Sequence, residues 1–313
     1  MNGPGGSRPA LVSVVIPTHG RRALLHRSLG SALAQRDVEL EVLVVDDGSA
    51  DDTAAAVPSV DDPRVRLLRH PTSRGVATAR NTGAAAAAGA WLAFLDDDDL
   101  WAPDKLSRQM AAAGRGGARW AYSGAVEIDG SGRLLGGERP PQPEFLVREL
   151  RHRNLMPAGC SNVLVAAEVF GASGGFDVGL RHLADWDLWL RLVQDGLPAR
   201  VADPSVAYRL HPGQATLDTT GMLAEARILR DRHGADLTSI RRWLAWSHLR
   251  QGRRGKAVAA YARAAAAGDL ASVGRAAVAA LHPFPTAVRR RPVAAEDRAW
   301  AESAGAWISA AIG

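Results

Sequence analysis

Residues 91–101 read WLAFLDDDDLW. A short apolar run passes without interruption into four consecutive aspartates. The run has the length of a buried strand, so Asp96–Asp99 stand at a strand's carboxyl end. Four adjacent carboxylates repel one another, and a fold has reason to keep them where something positive is bound. A second acidic pair, Asp46-Asp47, follows a similar run, EVLVV at 41–45. In open parallel sheets, ligands bind beyond the carboxyl ends of the strands. The two clusters together point to one site at one edge of such a sheet.

Working outward, LVSVVIP at 11–17 reads as another buried strand, ended by a proline. Leu25, Leu29, Ala32 and Leu33 give helical spacing over 22–35. Asp51, Asp52 and Thr53 can cap a following helix. A strand is expected at 65–68 and a helix at 78–88, stopped by Gly89. Strands alternating with helices at this spacing predict a parallel sheet covered on both faces. Further on, 120–128 and 162–165 read as strands and 130–143 as a loop rich in Gly, Pro and Arg. DWDLWLRLVQ at 185–194 reads as a helix whose Trp186 and Trp189 belong to the core, and 206–210 as a short strand before His211. Residues from about 223 onward read as helical. Ala257, Tyr261 and Ala264, after Gly252, resemble half of a tetratricopeptide-type unit. A solenoid needs about three such units, so a helical hairpin packed on the core is expected.

The 313 residues are 47% hydrophobic and 23% charged, the make-up of a globular protein with a sizeable core. The single cysteine, Cys160, excludes an intrachain disulfide or a cysteine-cage zinc site and reads as a small buried hydrophobe. Residues 1–10 are Gly- and Pro-rich and read as a flexible tail rather than a signal peptide. No run is long and apolar enough to predict a transmembrane helix. Residues 241–313 hold 12 Lys+Arg against 4 Asp+Glu, a net of +8, leaving −3 for the rest of the +5 total. Only Lys105 and Lys256 are lysines, so the arginine bias weakens any reading of a single arginine.

Carboxylates at strand ends suit an octahedral Mg²⁺ or Mn²⁺, which keeps waters and substrate phosphates in its shell. Such an ion neutralises a diphosphate as it leaves. Arg80 and Arg74 are candidate phosphate contacts. Asp185 suits a different task. A carboxylate near a helix start is a stable seat for a base that takes a proton from an attacking hydroxyl. Asp187 is the better candidate for a purely structural role, and His182 reads as a surface or hydrogen-bonded histidine. Trp101 could cover a sugar or pack in the core.

SVVIPTHGR (13–21), VVDDGSADDT (44–53), RGVATARNTG (74–83) and FLDDDDLWAPDKL (94–106) together resemble the family 2 glycosyltransferases. The likeness continues through SNVLVAAEVFGASGGFD (161–177), DWDLWLRL (185–192) and YRLHPGQAT (208–216). It implies a GT-A fold, a Rossmann-like mixed sheet covered by helices, with a C-terminal helical extension. It implies a GT-A domain over 11–222, divided into a nucleotide-sugar half (11–110) and an acceptor half (111–222), and an extension over 223–313. It implies inverting transfer of a hexosyl group from a UDP-, GDP- or dTDP-sugar. The acceptor would be a carbohydrate, lipid-linked, peptide or small-molecule hydroxyl in cell-wall or polysaccharide biosynthesis.

Residue by residue, the resemblance places Pro17 and His19 against the nucleobase and Asp46 and Asp47 at the nucleoside. Thr18, Gly75 and Arg80 go with the nucleotide-sugar. Asp96, Asp97 and Asp98 match the DxD-type motif, with Asp98 and His211 as metal ligands. Asp185 matches the catalytic base. One departure is Ala184, where the family usually has an acidic residue.

A phosphoacceptor receiver would leave the later motifs unexplained. A sugar-1-phosphate nucleotidyltransferase would need a glycine-rich loop after the first strand. Neither GxGxxG nor GxxxxGK[ST] occurs. A catalytically silent nucleotide-sugar-binding or scaffold protein is the alternative. The expected location is cytoplasmic; one reading of the basic tail around Arg289–Arg291, with Phe284, Trp300, Trp307 and Ile308, is peripheral contact with the inner membrane face. A solvated helical cap is the other reading of that tail. No nucleic-acid partner is expected, since no recognition motif accompanies the charge.

Overall fold

The computed structural model describes residues 10–57, 60–211, 221–281 and 295–312. Four strands form a parallel block: β1 (Val12–Thr18), β2 (Leu40–Asp46), β3 (Val65–Arg69) and β4 (Trp91–Phe94), in the order β3-β2-β1-β4. Beyond β4 the sheet becomes mixed. The remaining strands are β5 (Leu100–Trp101), β6 (Trp120–Ile128), β7 (Leu134–Glu138), β8 (Leu164–Ala166) and β9 (Ala199–Arg209). The order continues β4-β8-β6-β9-β5, with β7 paired to β6. β8 runs antiparallel to β4 and β6, whereas β6 and β9 are parallel.

Alternate residues of the central strands enter different cores, as the period-2 geometry of a strand requires. Val14, Ile16, Val42 and Val44 pack against Leu25 and Leu29 of α1 (Arg22–Leu33) on one face. Val15, Leu43, Val45 and Phe94 pack with Trp186 and Trp189 on the other. Burial on both faces is why these strands read as uninterrupted apolar runs.

The helices within the sheet region are α2 (Thr53–Ala56), α3 (Val76–Ala86), α4 (Lys105–Gly116), α5 (Pro143–Glu149), α6 (Ala167–Ala172) and α7 (Ala184–Leu192). The helices that follow are α8 (Met222–His233), α9 (Thr238–Arg250), α10 (Arg254–Ala266), α11 (Ala271–Leu281), α12 (Ala295–Glu302) and α13 (Gly305–Ile312). Met222, Ala226 and Leu229 seat α8 in the core. Tyr261 of α10 packs with Ala245 of α9 and Ala279 of α11 in a small cluster of its own. Tyr261, one of the tetratricopeptide-like positions, thus joins three helices to one another, while Ile240 of α9 packs in the main core.

Three local expectations differ from the structure. β7 lies inside 130–143, which reads as loop. Its Gly136 and Gly137 carry no strand signal, and the space above Gly137 is filled by Trp300. A Cβ on Gly137 would come within 2.8 Å of that ring, and one on Gly124 within 2.4 Å. Residues Gly159–Asn162 form a 3₁₀ turn before β8, where a strand is expected from 162. β9 begins at Ala199, seven residues before the expected start.

The Trp300 contact also places the chain's end. Trp300 Nε1 donates to Ala202 O at 2.9 Å, and Ile308 is buried against Val126 and Ile128. Ile308 is therefore buried on the sheet, with Trp300 and Trp307 partly buried beside it. Phe284 and Arg289–Arg291 lie outside the described residues. No helix among the described residues is long and apolar enough to cross a membrane.

Candidate active site

A cleft of about 290 Å³ opens at the carboxyl ends of β1, β2 and β4. Pro17, Thr18, His19, Asp47, Arg80, Asp96, Asp97 and Asp98 all line it, together with Arg21 and Tyr208, which the motif reading did not single out. Eight of the sequence-derived positions thus meet in one place.

The four aspartates after β4 fan out to different partners. Asp96 pairs with Arg80. Asp97 accepts from Thr18 Oγ1 at 2.7 Å and from Arg21 Nη1 at 3.0 Å. Asp98 Oδ2 is 2.7 Å from Arg21 Nη1 and 2.9 Å from His211 Nε2. Asp99 is fully buried, accepting from Ser161 Oγ at 2.5 Å and Arg209 N at 3.0 Å. Arg209 Nε also donates to the Asp98 carbonyl at 3.0 Å, so β9 braces the acidic turn from beneath. Burial, with the neighbouring Asp98 charge, pushes the Asp97 carboxyl up to about 6 against the pull of Arg21. The same two causes raise Asp99 well above the ordinary range.

The pair after β2 divides its work. Asp46 is fully buried below the loop, with Ser49 N on its Oδ1 at 3.0 Å and Arg69 Nε 3.0 Å from its Oδ2. It does not line the cleft where the resemblance puts a nucleoside contact. Asp46 ends β2; just past the strand, Asp47 lines the cleft. Its carboxylate accepts from His70, from Ser73 Oγ at 2.8 Å and from the backbone N–H groups of Arg74 and Gly75. Burial works against its charge, but these bonds together hold its pKa below the ordinary value. Asp47 thereby fixes the loop into α3. Gly75 contributes through its N–H at 2.9 Å and does not itself line the cleft. His19 Nδ1 meets the Asp47 carbonyl at 2.9 Å, leaving the exposed ring at the rim.

Arg80 is 7% exposed, and its Nε has no hydrogen-bond partner. Burial disfavours its charge, but Asp96, with a further contribution from Asp185, keeps it protonated. Arg80 thus pairs with Asp96 and also feels the charge of Asp185. Asp185 sits in the first turn of α7, half-buried, with Oδ1 accepting Trp186 N at 2.7 Å and Oδ2 accepting Asn154 Nδ2 at 3.3 Å. Burial raises its pKa; the Trp186 N–H and Arg80 oppose the rise. Asp187, by contrast, is 1% exposed and tied to Arg191 and His233, a structural role.

The remaining aromatics are core. Trp186 Nε1 donates to Leu150 O at 2.7 Å. Trp101 donates to Ser161 O at 2.6 Å, with Lys105 Nζ 4.1 Å from its ring centroid. Trp101 is 1% exposed and does not cover the cleft. Cys160 is a buried free thiol whose pKa burial pushes up.

The donor set can be tested against a divalent cation. Among the described residues no three His, Cys, Asp or Glu side chains converge as a cage. Asp98, which lines the cleft, and His211 do converge, one hard oxygen and one imidazole nitrogen 2.9 Å apart. Mg²⁺ and Mn²⁺ are commonly held by one or two protein ligands plus substrate phosphates, so the pair fits an ion that arrives with a diphosphate.

Comparison with known proteins bears on the family and the fold. The model of the family described as Glycosyl transferase family 2 matches residues 13–172. The succinoglycan biosynthesis protein ExoO of Rhizobium meliloti is 42% identical over 135 residues, covering 43% of this chain and 39% of that protein. This chain thus spans well under two thirds of that relative. The UDP-Glc:alpha-D-GlcNAc-diphosphoundecaprenol beta-1,3-glucosyltransferase WfgD of Escherichia coli is 31% identical over 185 residues, covering 59% and 70%. Among solved structures, S. aureus TarS 1-349 in complex with UDP-GlcNAc superposes over 81% of this chain and 80% of that one. The TM-score is 0.60 at 17% identity, a likeness of fold.

Proposed function

Because this chain belongs to glycosyl transferase family 2, has the GT-A fold and is a hexosyltransferase-type enzyme, we propose that it performs inverting transfer with Asp185 as general base. The donor, a nucleotide-diphospho-sugar, lies in the cleft bounded by Thr18, Asp47, Arg80 and Asp96–Asp98. The observation that carries this reading is Arg80. It lines the cleft, pairs with Asp96 and feels the charge of Asp185, so one buried guanidinium is coupled to both the acidic turn and the proposed base.

The acceptor hydroxyl gives its proton to Asp185 as its oxygen attacks the anomeric carbon. The bond from that carbon to the diphosphate oxygen breaks, and its electron pair leaves with the nucleoside diphosphate. Configuration inverts because attack comes from the face opposite the leaving group. Arg21 and Arg80 supply positive charge where negative charge develops on the leaving group. A divalent cation held by Asp98 and His211 would add Lewis-acid stabilisation of that diphosphate.

We further propose residues 11–110 as the donor half, 111–222 as the acceptor half and 223–313 as a helical extension. The activity named for the E. coli relative makes UDP-glucose and a polyprenyl-diphosphate-linked sugar the first pair to test, in polysaccharide assembly. Such an acceptor would bring the enzyme to the inner membrane face. The protein is incubated with UDP-, GDP- and dTDP-sugars, Mn²⁺ and a lipid-diphosphate-sugar acceptor, and products are followed by mass spectrometry. Chelator-sensitive transfer or slow hydrolysis from at least one donor is expected. Donor binding without turnover across the panel would favour a silent binding protein.

A further inference from the structure

Asp185 holds its position mainly through its backbone. Among the described residues its carboxylate accepts hydrogen bonds only from Trp186 N and Asn154 Nδ2, the latter at 3.3 Å. What fixes the backbone just before it decides where the base points. That segment, 181–183, is gripped by one side chain from a distant helix. Glu225 of α8 accepts Arg181 N at 3.0 Å on Oε1, and His182 N at 2.8 Å and Leu183 N at 3.0 Å on Oε2. Glu225 is 8% exposed. Three successive N–H groups aimed at one carboxylate form an anion-binding nest, here filled by a residue of the same chain.

The grip is reinforced at both ends of the segment. Arg232 of α8 donates to Asp177 Oδ2 at 2.5 Å where the loop begins, and His233 meets Asp187 Oδ1 at 2.8 Å inside α7. Met222, Ala226 and Leu229 anchor the same helix in the core. α8 is therefore a buried clamp on the loop that delivers the base. Leu183, the residue that caps α7, has no side-chain capping bond of its own, so Glu225 takes over the ordering of the helix entrance.

We propose that Glu225 is a positioning residue for the transfer reaction, fixing the entrance of α7 and with it the place of the Asp185 carboxylate. The proposal rests on Asp185 being the base. An ångström-scale misplacement of a catalytic group costs on the order of 100-fold in rate, whereas the donor cleft is built from other elements. Loss of Glu225 should therefore lower kcat and leave donor binding intact.

Glu225→Gln and Glu225→Ala are made in the wild-type and Asp185→Asn backgrounds. Transfer kcat, acceptor KM and donor affinity by fluorescence quenching are measured in each. In the wild-type background both variants are expected to lose roughly 10- to 100-fold in kcat, with donor affinity within two-fold. In the Asp185→Asn background neither should lower the residual rate further, because the group being positioned is already disabled. Wild-type kcat in both variants would overturn the positioning role. So would a loss of donor affinity matching the loss of kcat, or an equal rate loss in both backgrounds. Wild-type transfer by Asp185→Asn alone would instead sink the base assignment. The isosteric Glu225→Gln retains one acceptor oxygen, so it tests the idea even if Glu225→Ala does not fold.

Discussion

Arg21 Nη1 lies 2.7 Å from Oδ2 of Asp98, the same oxygen that His211 Nε2 approaches at 2.9 Å. A guanidinium, a carboxylate and an imidazole therefore share the point where a divalent cation would be held. Arg21 balances the charge of Asp97 and Asp98 and competes with any cation for the latter. Arg21→Met should raise Mn²⁺ affinity of the donor-free protein several-fold, read by electron paramagnetic resonance of free Mn²⁺. Asp98→Ala should lower it below detection, and His211→Ala should weaken it. Unchanged Mn²⁺ binding in Asp98→Ala would place the cation elsewhere.

The pH dependence of transfer follows from the direction of the Asp185 shift. A base must be ionised, and burial raises the Asp185 pKa above the ordinary 3.8. Activity should therefore rise with pH along a limb whose midpoint lies above 3.8, at saturating donor and Mn²⁺. Asn154 donates to the charged form and so lowers that pKa. Asn154→Ala should move the acid limb to higher pH. An unmoved limb would detach Asn154 from the titrating group.

Asp97 makes a prediction about stability. Its folded pKa of about 6 exceeds the ordinary 3.8, so the stability it contributes is complete below pH 3.8 and is lost as pH rises through about 6. At pH 8, without added metal, its ionised form carries a penalty of order 1–3 kcal/mol. Asp97→Asn removes that penalty. Urea unfolding in EDTA should show the variant more stable than wild type at pH 8, with the difference shrinking toward pH 4. A variant less stable at pH 8 would mean that the Arg21 pair outweighs burial.

The central strands and the acidic turn were legible in the sequence because both faces of these strands are buried. Val12–Thr18 and Leu40–Asp46 are apolar runs that stop where the site begins. Asp46 and Asp47 read as one feature in the sequence, but the first ends β2 fully buried and the second lies past the strand and lines the cleft. Arg21 was hidden by an arginine-rich background in which no single guanidinium stands out. β7 escaped notice because its Gly137 makes room for Trp300, far along the chain. Glu225 left no local signal at all: its partners are backbone amides more than 40 positions upstream. Contacts between distant segments are what pattern reading cannot supply.

Base catalysis by Asp185 is tested most directly by the single-turnover transfer rate of Asp185→Asn at saturating donor, Mn²⁺ and acceptor. Removing a general base typically costs 10²- to 10⁴-fold, so a rate at least about 100-fold below wild type is expected, with donor affinity within two-fold. Transfer at the wild-type rate would show that another group removes the acceptor's proton.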